Sequence, residues 1–495
     1  MKFLFIYPEV TYTNVGRFQR GIAYLSATLR LRGHETKLIV VNKMPEDNNG
    51  FLSEIKAFQP DMIGYSSISS QAPYVKKLAR ITKELGIFTV WGGVHPTLDP
   101  DNSIMVDGID AIGIGEVDFA LPQFVDTYAK GGAIDLVNSF YVKLKDGRVI
   151  KNPTAPVLEN LDELPIPDYD LFPYDKTDDF MVAHAVTVQT SRGCPFNCSY
   201  CANNALRKIY PNAKNYMRIR SVDNVIAEIE FLIKKYPGTK EVRFSDDTLS
   251  SSVEWFKEFC AKYKAKINIP WSTNERVEYI TDEKADLYKA SGCINVDMGI
   301  ESGNEFIRHK IMKRKIKEEV MINGFKRMQS RGINTHAFNI LGMPHETFST
   351  ALDTIKMNSK CNPSHYFNAY FHPFISTDAF TLSKELGLIQ GECELPTSLA
   401  EKPVLKLPGI SEQELMFLYK YFSTLVVLYR FLFRISSGSN SILVKSVDFT
   451  LKHLPGKWLL NNLYQTRTDV KRKFPRLSEY IIKAKRAIVR PITHS

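Results

Sequence analysis

The chain has 495 residues, 44% of them hydrophobic, which is enough for two or three domains with real cores and excludes a disordered chain. A net charge of +10 invites a nucleic-acid partner, yet the excess gathers at one end, where the stretch 440–495 carries twelve Lys or Arg against three Asp or Glu. A local basic segment suits an anionic lipid surface or a solvated tail better than a nucleic-acid channel, so no nucleic acid is expected.

The opening run KFLFIYP meets Pro8 and Glu9 and reads as a buried first strand, not a signal peptide. Seven cysteines without a regular framework fit a reducing compartment, and a cytoplasmic enzyme is expected. Up to about Ile150, KFLFIYP, TKLIVVN, DMIGYSSIS, FTVWGG and GIDAIGIGE read as five strands, mostly continuous enough for burial on both faces of a parallel sheet. GIAYLSATLRLRG and APYVKKLARITKELG are helices between them, each stopped by a glycine. Residues 1–150 are therefore predicted to form a doubly wound, Rossmann-like α/β domain that binds its ligand at the carboxyl ends of the strands. Those ends carry Ser66, Ser67 and Ser69, then Gly92, Gly93 and His95, then Gly115 and Glu116. Glycines there let a bulky planar ligand approach the backbone, or serve only the turns.

A Pro- and Asp-rich linker, 151–181, leads to a second unit at 182–385. AVTVQTSRGC, EVRFSDD, NIPWSTNE, NVDMGIES, NTHAFNILG and HYFNAYFHP predict six strand–helix units, a partial (β/α)6 barrel with working groups at its strand ends. The first strand runs into TSRGCPFNCSYC, which spaces Cys194, Cys198 and Cys201 by three residues and then two. A structural zinc site closes with four ligands, and no fourth stands nearby; a cubane iron–sulfur cluster takes thiolates and would keep one iron open. Gly193, Pro195 and Asn197 mark a loop rather than a core. Cys260, Cys293, Cys361 and Cys393 are isolated and read as packing thiols.

This loop resembles the CxxxCxxC signature of radical S-adenosylmethionine (radical SAM) enzymes. MRIRSVDNVIAEIEFL, VRFSDDTL, SGCINVDMGIESGNE and FNILGMPHET follow in the order and approximate spacing of the subgroup with an N-terminal cobalamin-binding domain, the class B methyltransferase type. The resemblance implies a 4Fe-4S cluster on Cys194, Cys198 and Cys201, SAM on its open iron, and cobalamin on the N-terminal domain at the strand-end residues named above. It places Tyr200 against adenine, Ser245 and Asp246 near the SAM amino group, Glu301 and Ser302 at its ribose or methionine end, and Gly342, Pro344 and Glu346 beside the adenine. Asp247 is read equally as a SAM contact or a helix start. Arg218 or Arg220 is weighed for the SAM carboxylate, with a surface arginine as the preferred reading. No DxHxxG stretch follows the first strand, and His95 does not match a cobalt-ligating histidine, so the lower cobalt face is expected to carry no protein ligand or a different one. Tyr370 and His372 stand as pocket groups or packed strand-end residues.

The implied reaction is methylation of an unactivated carbon: one SAM methylates cob(I)alamin, a second yields a 5′-deoxyadenosyl radical that abstracts hydrogen, and the substrate radical takes the methyl. The alternatives are radical cyclisation, oxidation or rearrangement, and a nucleic-acid methylthiotransferase. The last is disfavoured because Met1–Ile150 has no cysteine for a second cluster. An electron donor such as ferredoxin or flavodoxin is implied. Residues 386–495 read as a helical, basic region. ELMFLYKYFSTLVVLYRFLF is broken by Lys420 and Arg430, too soon for a span, and suggests an interface helix. The basic sequence that follows suits lying on an anionic bilayer or forming a soluble helical cap, so the expected substrate is a small molecule or a lipid and peripheral membrane contact is weighed.

Overall fold

Seven residues of the opening strand, Lys2–Pro8 (β1), are apolar almost without a break because both faces are covered. Phe3, Phe5 and Tyr7 pack with Ile22, Leu121 and Phe124 on one side, while Leu4 and Ile6 pack with Ile55, Val75 and Leu78 on the other. The structure is a computed structural model that describes residues 1–10, 17–389, 395–396, 398–436, 441–454 and 457. Around β1 run β2 (Glu35–Val41), β3 (Met62–Ser66), β4 (Phe88–Gly92) and β5 (Ala111–Gly113), all parallel. An antiparallel hairpin, β6 (Phe140–Lys143) and β7 (Val149–Lys151), completes the order β2-β1-β3-β4-β5-β6-β7. The order reverses between β1 and β3, the switch point where such sheets open a crevice.

In the second unit β8 (Ala185–Val188) is followed by two short strands, β9 (Ser191–Arg192) and β10 (Arg218–Ile219), which pair antiparallel at the base of the cysteine loop. Then come β11 (Glu241–Phe244), β12 (Trp271–Glu275), β13 (Cys293–Glu301), β14 (Asn334–Leu341) and β15 (His365–Tyr370). They form a six-stranded, wholly parallel sheet in the order β15-β14-β13-β12-β11-β8, the predicted partial barrel. Val186, Val242, Trp271, Val296, Met298 and Ala337 face the helical layer. The alternating residues, Arg243, Ser272, Asn274, Asn295, Asp297 and His336, point into the barrel and are polar. Further along, Phe338 and Phe367 face each other at 5.3 Å with His336 beside them.

The apolar run after residue 411 forms two helices, Glu412–Lys420 and Phe422–Ile435, bent by 70°. They bury Leu415, Phe417, Leu425, Val426 and Tyr429 against the helix Phe348–Cys361, so the sequence is apolar largely because it is packed on the barrel. Among the described residues no single helix is long and apolar enough to cross a membrane, although the bent pair passes by length and composition. Of the basic stretch 440–495 only 441–454 and 457 belong to the described residues; the rest, like Cys393, lies outside them. Cys260, Cys293 and Cys361 are buried in the barrel's helical core.

Candidate active site

The loop that carries the three cysteines is launched by a clamp under β8. Asp246 is fully buried, and its carboxylate accepts hydrogen bonds from the Thr190 amide (3.0 and 3.1 Å), the Thr190 hydroxyl (3.0 Å) and the Ser191 hydroxyl. Burial pushes its carboxyl up to about 6. These bonds occupy Asp246 and correct its expected SAM contact: strand alternation turns it away from the side on which Ser245 and Asp247 are exposed. Asp247 accepts from Asn203 Nδ2 at 2.9 Å; though its edge is open to solvent, the protein packed around it partly desolvates its carboxyl and raises it. It caps no helix, since the next one begins at Val253 under Ser252.

Gly193, at φ 83°, precedes the first cysteine, and a Cβ there would sit 2.1 Å from the Tyr216 carbonyl oxygen, so only glycine lets the loop pass. Ser199 ties the loop to the barrel through its amide to Met312 O (3.0 Å), and its own carbonyl accepts from the Ala379 amide (2.9 Å). Cys198 is buried and Cys194 and Cys201 are half-buried; burial pushes the Cys201 thiol up to about 12 and raises Cys194. The thiols influence one another electrostatically, yet among the described residues no three His, Cys, Asp or Glu side chains converge on a single ion position. Three thiols on one loop, with no fourth ligand beside them among the described residues, fit a cubane, in which each iron takes its own thiolate, better than one zinc. Arg276, just past β12, lies with its guanidinium 3.6 Å from the Phe196 ring centre and Nη1 3.4 Å from Cys198 Sγ.

Across the mouth of the barrel, Glu301 ends β13 at φ 63°, beside a register shift against β14. Burial raises its carboxyl, while Arg314 (Nη1 to Oε1 3.7 Å), Arg276 and a hydrogen bond with Tyr200 lower it. Arg314 donates through Nη2 to Gly299 O at 2.7 Å, and its buried Nε has no partner. Ser302 is fully buried, its hydroxyl accepting from the Asn304 amide at 3.3 Å, which corrects the expectation that it faces the site. Gly342, at φ 90°, donates its amide to the buried Glu346, whose carboxyl burial pushes up to about 8, with Pro344 buried alongside. Tyr370 stacks on Tyr419 at 4.5 Å, and His372 is buried with its pKa pushed down to about 4.

A cavity of about 330 Å3 lies between the two units. Ser66, Gly92, Gly93 and Gly115 border it from the first sheet, and Gly193, Asn203 and Asp247 from the cysteine loop's surroundings. At Gly92 nothing comes closer than 3.9 Å to where a Cβ would stand, leaving the wall open to a flat ligand, whereas a Cβ on Gly93 (φ 100°) would meet the Ser67 backbone at 2.7 Å. Ser67, Ser69 and His95 do not border this cavity and are held by contacts within their loops. The Ser67 hydroxyl accepts from Trp91 Nε1 (3.0 Å), and His95 Nδ1 lies 3.4 Å from the Ser69 hydroxyl, buried and pushed down to about 4. Glu116 borders the cavity but is engaged by Arg218 (2.6 Å) and Arg192 (3.2 Å), and Arg192 also grips Asp118 at 2.7 and 3.0 Å. Arg218 and Arg220 are buried rather than on the surface, the latter on Glu228. The bridges through Arg192 and Arg218, and the cations Arg276 and Arg314, were not legible as site features in the sequence.

Residues 188–357 match the Radical SAM superfamily and residues 18–125 the B12 binding domain. An uncharacterized methyltransferase of Pyrococcus horikoshii is 32% identical over 346 residues, 69% of this chain and 72% of that protein. The chain belongs to the radical SAM enzymes with a B12-binding domain. This radical SAM enzyme is also 29% identical over 408 residues to the anaerobic magnesium-protoporphyrin IX monomethyl ester cyclase of Rubrivivax gelatinosus, covering 78% of this chain and 70% of the cyclase. The cobalamin-dependent S-adenosylmethionine radical enzyme OxsB, solved with aqua-cobalamin bound, shares its fold at a TM-score of 0.70 and 15% identity, over 96% of this chain and 81% of OxsB. Its cofactors are a 4Fe-4S cluster, SAM and cobalamin. The three free thiols of one loop and the glycine-walled cavity fit the first and the last of these.

Proposed function

We propose that this radical SAM enzyme transfers a methyl group to an unactivated carbon of a lipid-type substrate. The observation that carries the reading is a cavity bordered on one side by the cobalamin domain's strand ends and on the other by Arg192 and Gly193 at the start of the cysteine loop, because a methyl donor and a radical must face the same carbon. When bound, the cluster and SAM supply the radical and cobalamin supplies the methyl. In this reading Cys194, Cys198 and Cys201 hold the irons, and Ser66, Gly92, Gly93 and Gly115 form the wall against which cobalamin lies. Ser245 and Asp247 accept from the SAM amino group, Arg314 offers its unpartnered Nε to the SAM carboxylate, Tyr200 and Glu301 flank the nucleoside, and the Gly342–Pro344 turn backs the adenine. A ferredoxin or flavodoxin delivers the electron.

The lipid assignment is supported by an exposed face on the last two described helices. Val427, Phe431 and Ile435 are each more than half exposed on the first of these helices and Ile442 and Phe449 are 84% and 66% exposed on the second, whose sequences also carry Arg434, Lys445 and Lys452. Apolar side chains among cations suit the surface of an anionic bilayer in the cytoplasm. Full-length enzyme is expected to sediment with phosphatidylglycerol-containing vesicles and not with phosphatidylcholine alone, and Phe431→Ser/Phe449→Ser is expected to release it. Equal sedimentation of the variant would remove the support for a lipid surface.

The reaction itself is tested with anaerobically reconstituted enzyme, cobalamin, reductant, SAM and a membrane-lipid extract. S-adenosylhomocysteine and 5′-deoxyadenosine are expected to rise together and in about equal amounts when the extract is added. A rise in 5′-deoxyadenosine alone would replace methylation with a cyclisation, oxidation or rearrangement.

A further inference from the structure

Cys198 has a charged neighbour that the assignment of ligands does not require. Arg276 is only 7% exposed, its Nη1 is 3.4 Å from Cys198 Sγ, and its guanidinium carbon stands 3.6 Å over the ring centre of Phe196, a residue of the same loop. Its Nε donates to Glu278 Oε1 at 2.8 Å. The other oxygen of Glu278, Oε2, is buried without a hydrogen-bond partner. An arginine and a carboxylate thus stand side by side against one cluster ligand, the cation touching the sulfur and the anion behind it. An ion pair this little exposed, 9% at Arg276 and 23% at Glu278, is a poor way to gain stability, since well-packed apolar side chains of similar volume do as well or better. The planar fork matters too, because a lysine ammonium neither stacks flat on a ring nor spans sulfur and carboxylate together.

We propose that Arg276 and Glu278 set the reduction potential of the cluster through Cys198, Arg276 raising it and Glu278 holding it down. The inference rests on the assignment of Cys194, Cys198 and Cys201 as cluster ligands, but on neither methyl transfer nor the lipid substrate. The step concerned is a one-electron reduction: the electron passes from an external donor, dithionite in the test, to the cluster, and no bond or proton is exchanged. An N–H donor on a ligating sulfur and a nearby positive charge both favour the more electron-rich state, and a nearby negative charge disfavours it. These effects are strong where water is scarce. Both residues are positioning residues, acting through the ligand rather than on SAM.

The test is a dithionite titration of anaerobically reconstituted full-length enzyme, followed by the electron paramagnetic resonance signal of the reduced cluster, with iron and sulfide measured on each sample. Arg276→Gln is expected to move the potential to a more negative value, Glu278→Gln to a more positive one, and Arg276→Lys to an intermediate position. Opposite signs are the decisive feature, because mere damage to the loop would shift both variants alike or lower their iron content. Unmoved potentials, or two shifts of the same sign, in samples with full iron would overturn the proposal. Should Arg276→Gln fail to hold iron, the positive shift of Glu278→Gln decides alone, and its absence overturns the proposal. The titration needs neither cobalamin nor substrate, so a failed methylation assay leaves its outcome readable, whereas wild-type protein that yields no cluster signal removes the ligand assignment itself.

Discussion

Cys198→Ala is expected to abolish 5′-deoxyadenosine formation and to strip most of the iron, while Cys260→Ala keeps both. Both thiols are buried, but they differ in what surrounds them. Cys260 lies in the apolar helical core with Phe256, Phe259 and Tyr263, and losing its sulfur there leaves a small void worth about 1 kcal/mol. Cys198 is set in a loop fixed at Gly193, at Ser199 and by the Asp246 clamp, with a guanidinium against its sulfur. Replacing an outer partner of a metal ligand lowers affinity or activity by about 10–100-fold, so loss of the ligand itself is expected to exceed that. Iron analysis and chromatography of the SAM products on both variants check the contrast. Retained iron and SAM cleavage in Cys198→Ala would remove the loop from the chemistry.

Arg314→Ala is expected to weaken SAM binding below measurable levels and to destabilise the protein by about 3–5 kcal/mol, the usual result of leaving one member of a buried ion pair alone. Arg314 and Glu301 are 5% and 13% exposed at their side chains, and Arg314 also holds the Gly299 carbonyl at the register shift. Glu301→Gln in turn leaves the Arg314 cation without its anion and is expected to destabilise as well, but less, because Arg314 keeps its bond to Gly299 O. The sign with pH follows from burial, which raises the Glu301 carboxyl. An acid whose folded pKa lies above its unfolded value binds more protons when folded, so stability falls as pH rises through that window. Without Arg314 that fall is expected to steepen, making the deficit larger at pH 8 than at pH 5. Urea midpoints at the two pH values and equilibrium dialysis with SAM are the measurements, and a deficit independent of pH would mean that Glu301 is not the stranded group.

What could be read from the sequence was local. The run of β1, the glycine-stopped helices and the CxxxCxxC loop each carry their signal within about a dozen residues, and each lies where the pattern put it. The hairpin β6–β7 went unread although Asp146–Gly147 is a turn signal, with Gly147 at φ 87°. Asp246 and Ser302 are buried away from the site because strand alternation sends neighbours to opposite sides; applied to Ser245–Asp246–Asp247, that rule leaves Ser245 and Asp247 on the open side. The bridge from Arg192 to Glu116 spans 76 positions, and Arg276 reaches Cys198 across 78. No periodicity reports such a pair, and only the fold brings its members together.

That bridge ties the fates of the two halves. Arg192, which holds Glu116 and Asp118 of the first sheet, stands two positions before Cys194, and Arg218, on the paired strand β10, holds Glu116 as well. A shift of the first sheet's rim is therefore passed by two rigid guanidinium forks to the start of the loop that carries the thiols. Binding free energies coupled in this way are reciprocal: whatever factor filling the first domain adds to the loop's affinity for its cluster, an assembled cluster returns to the first domain.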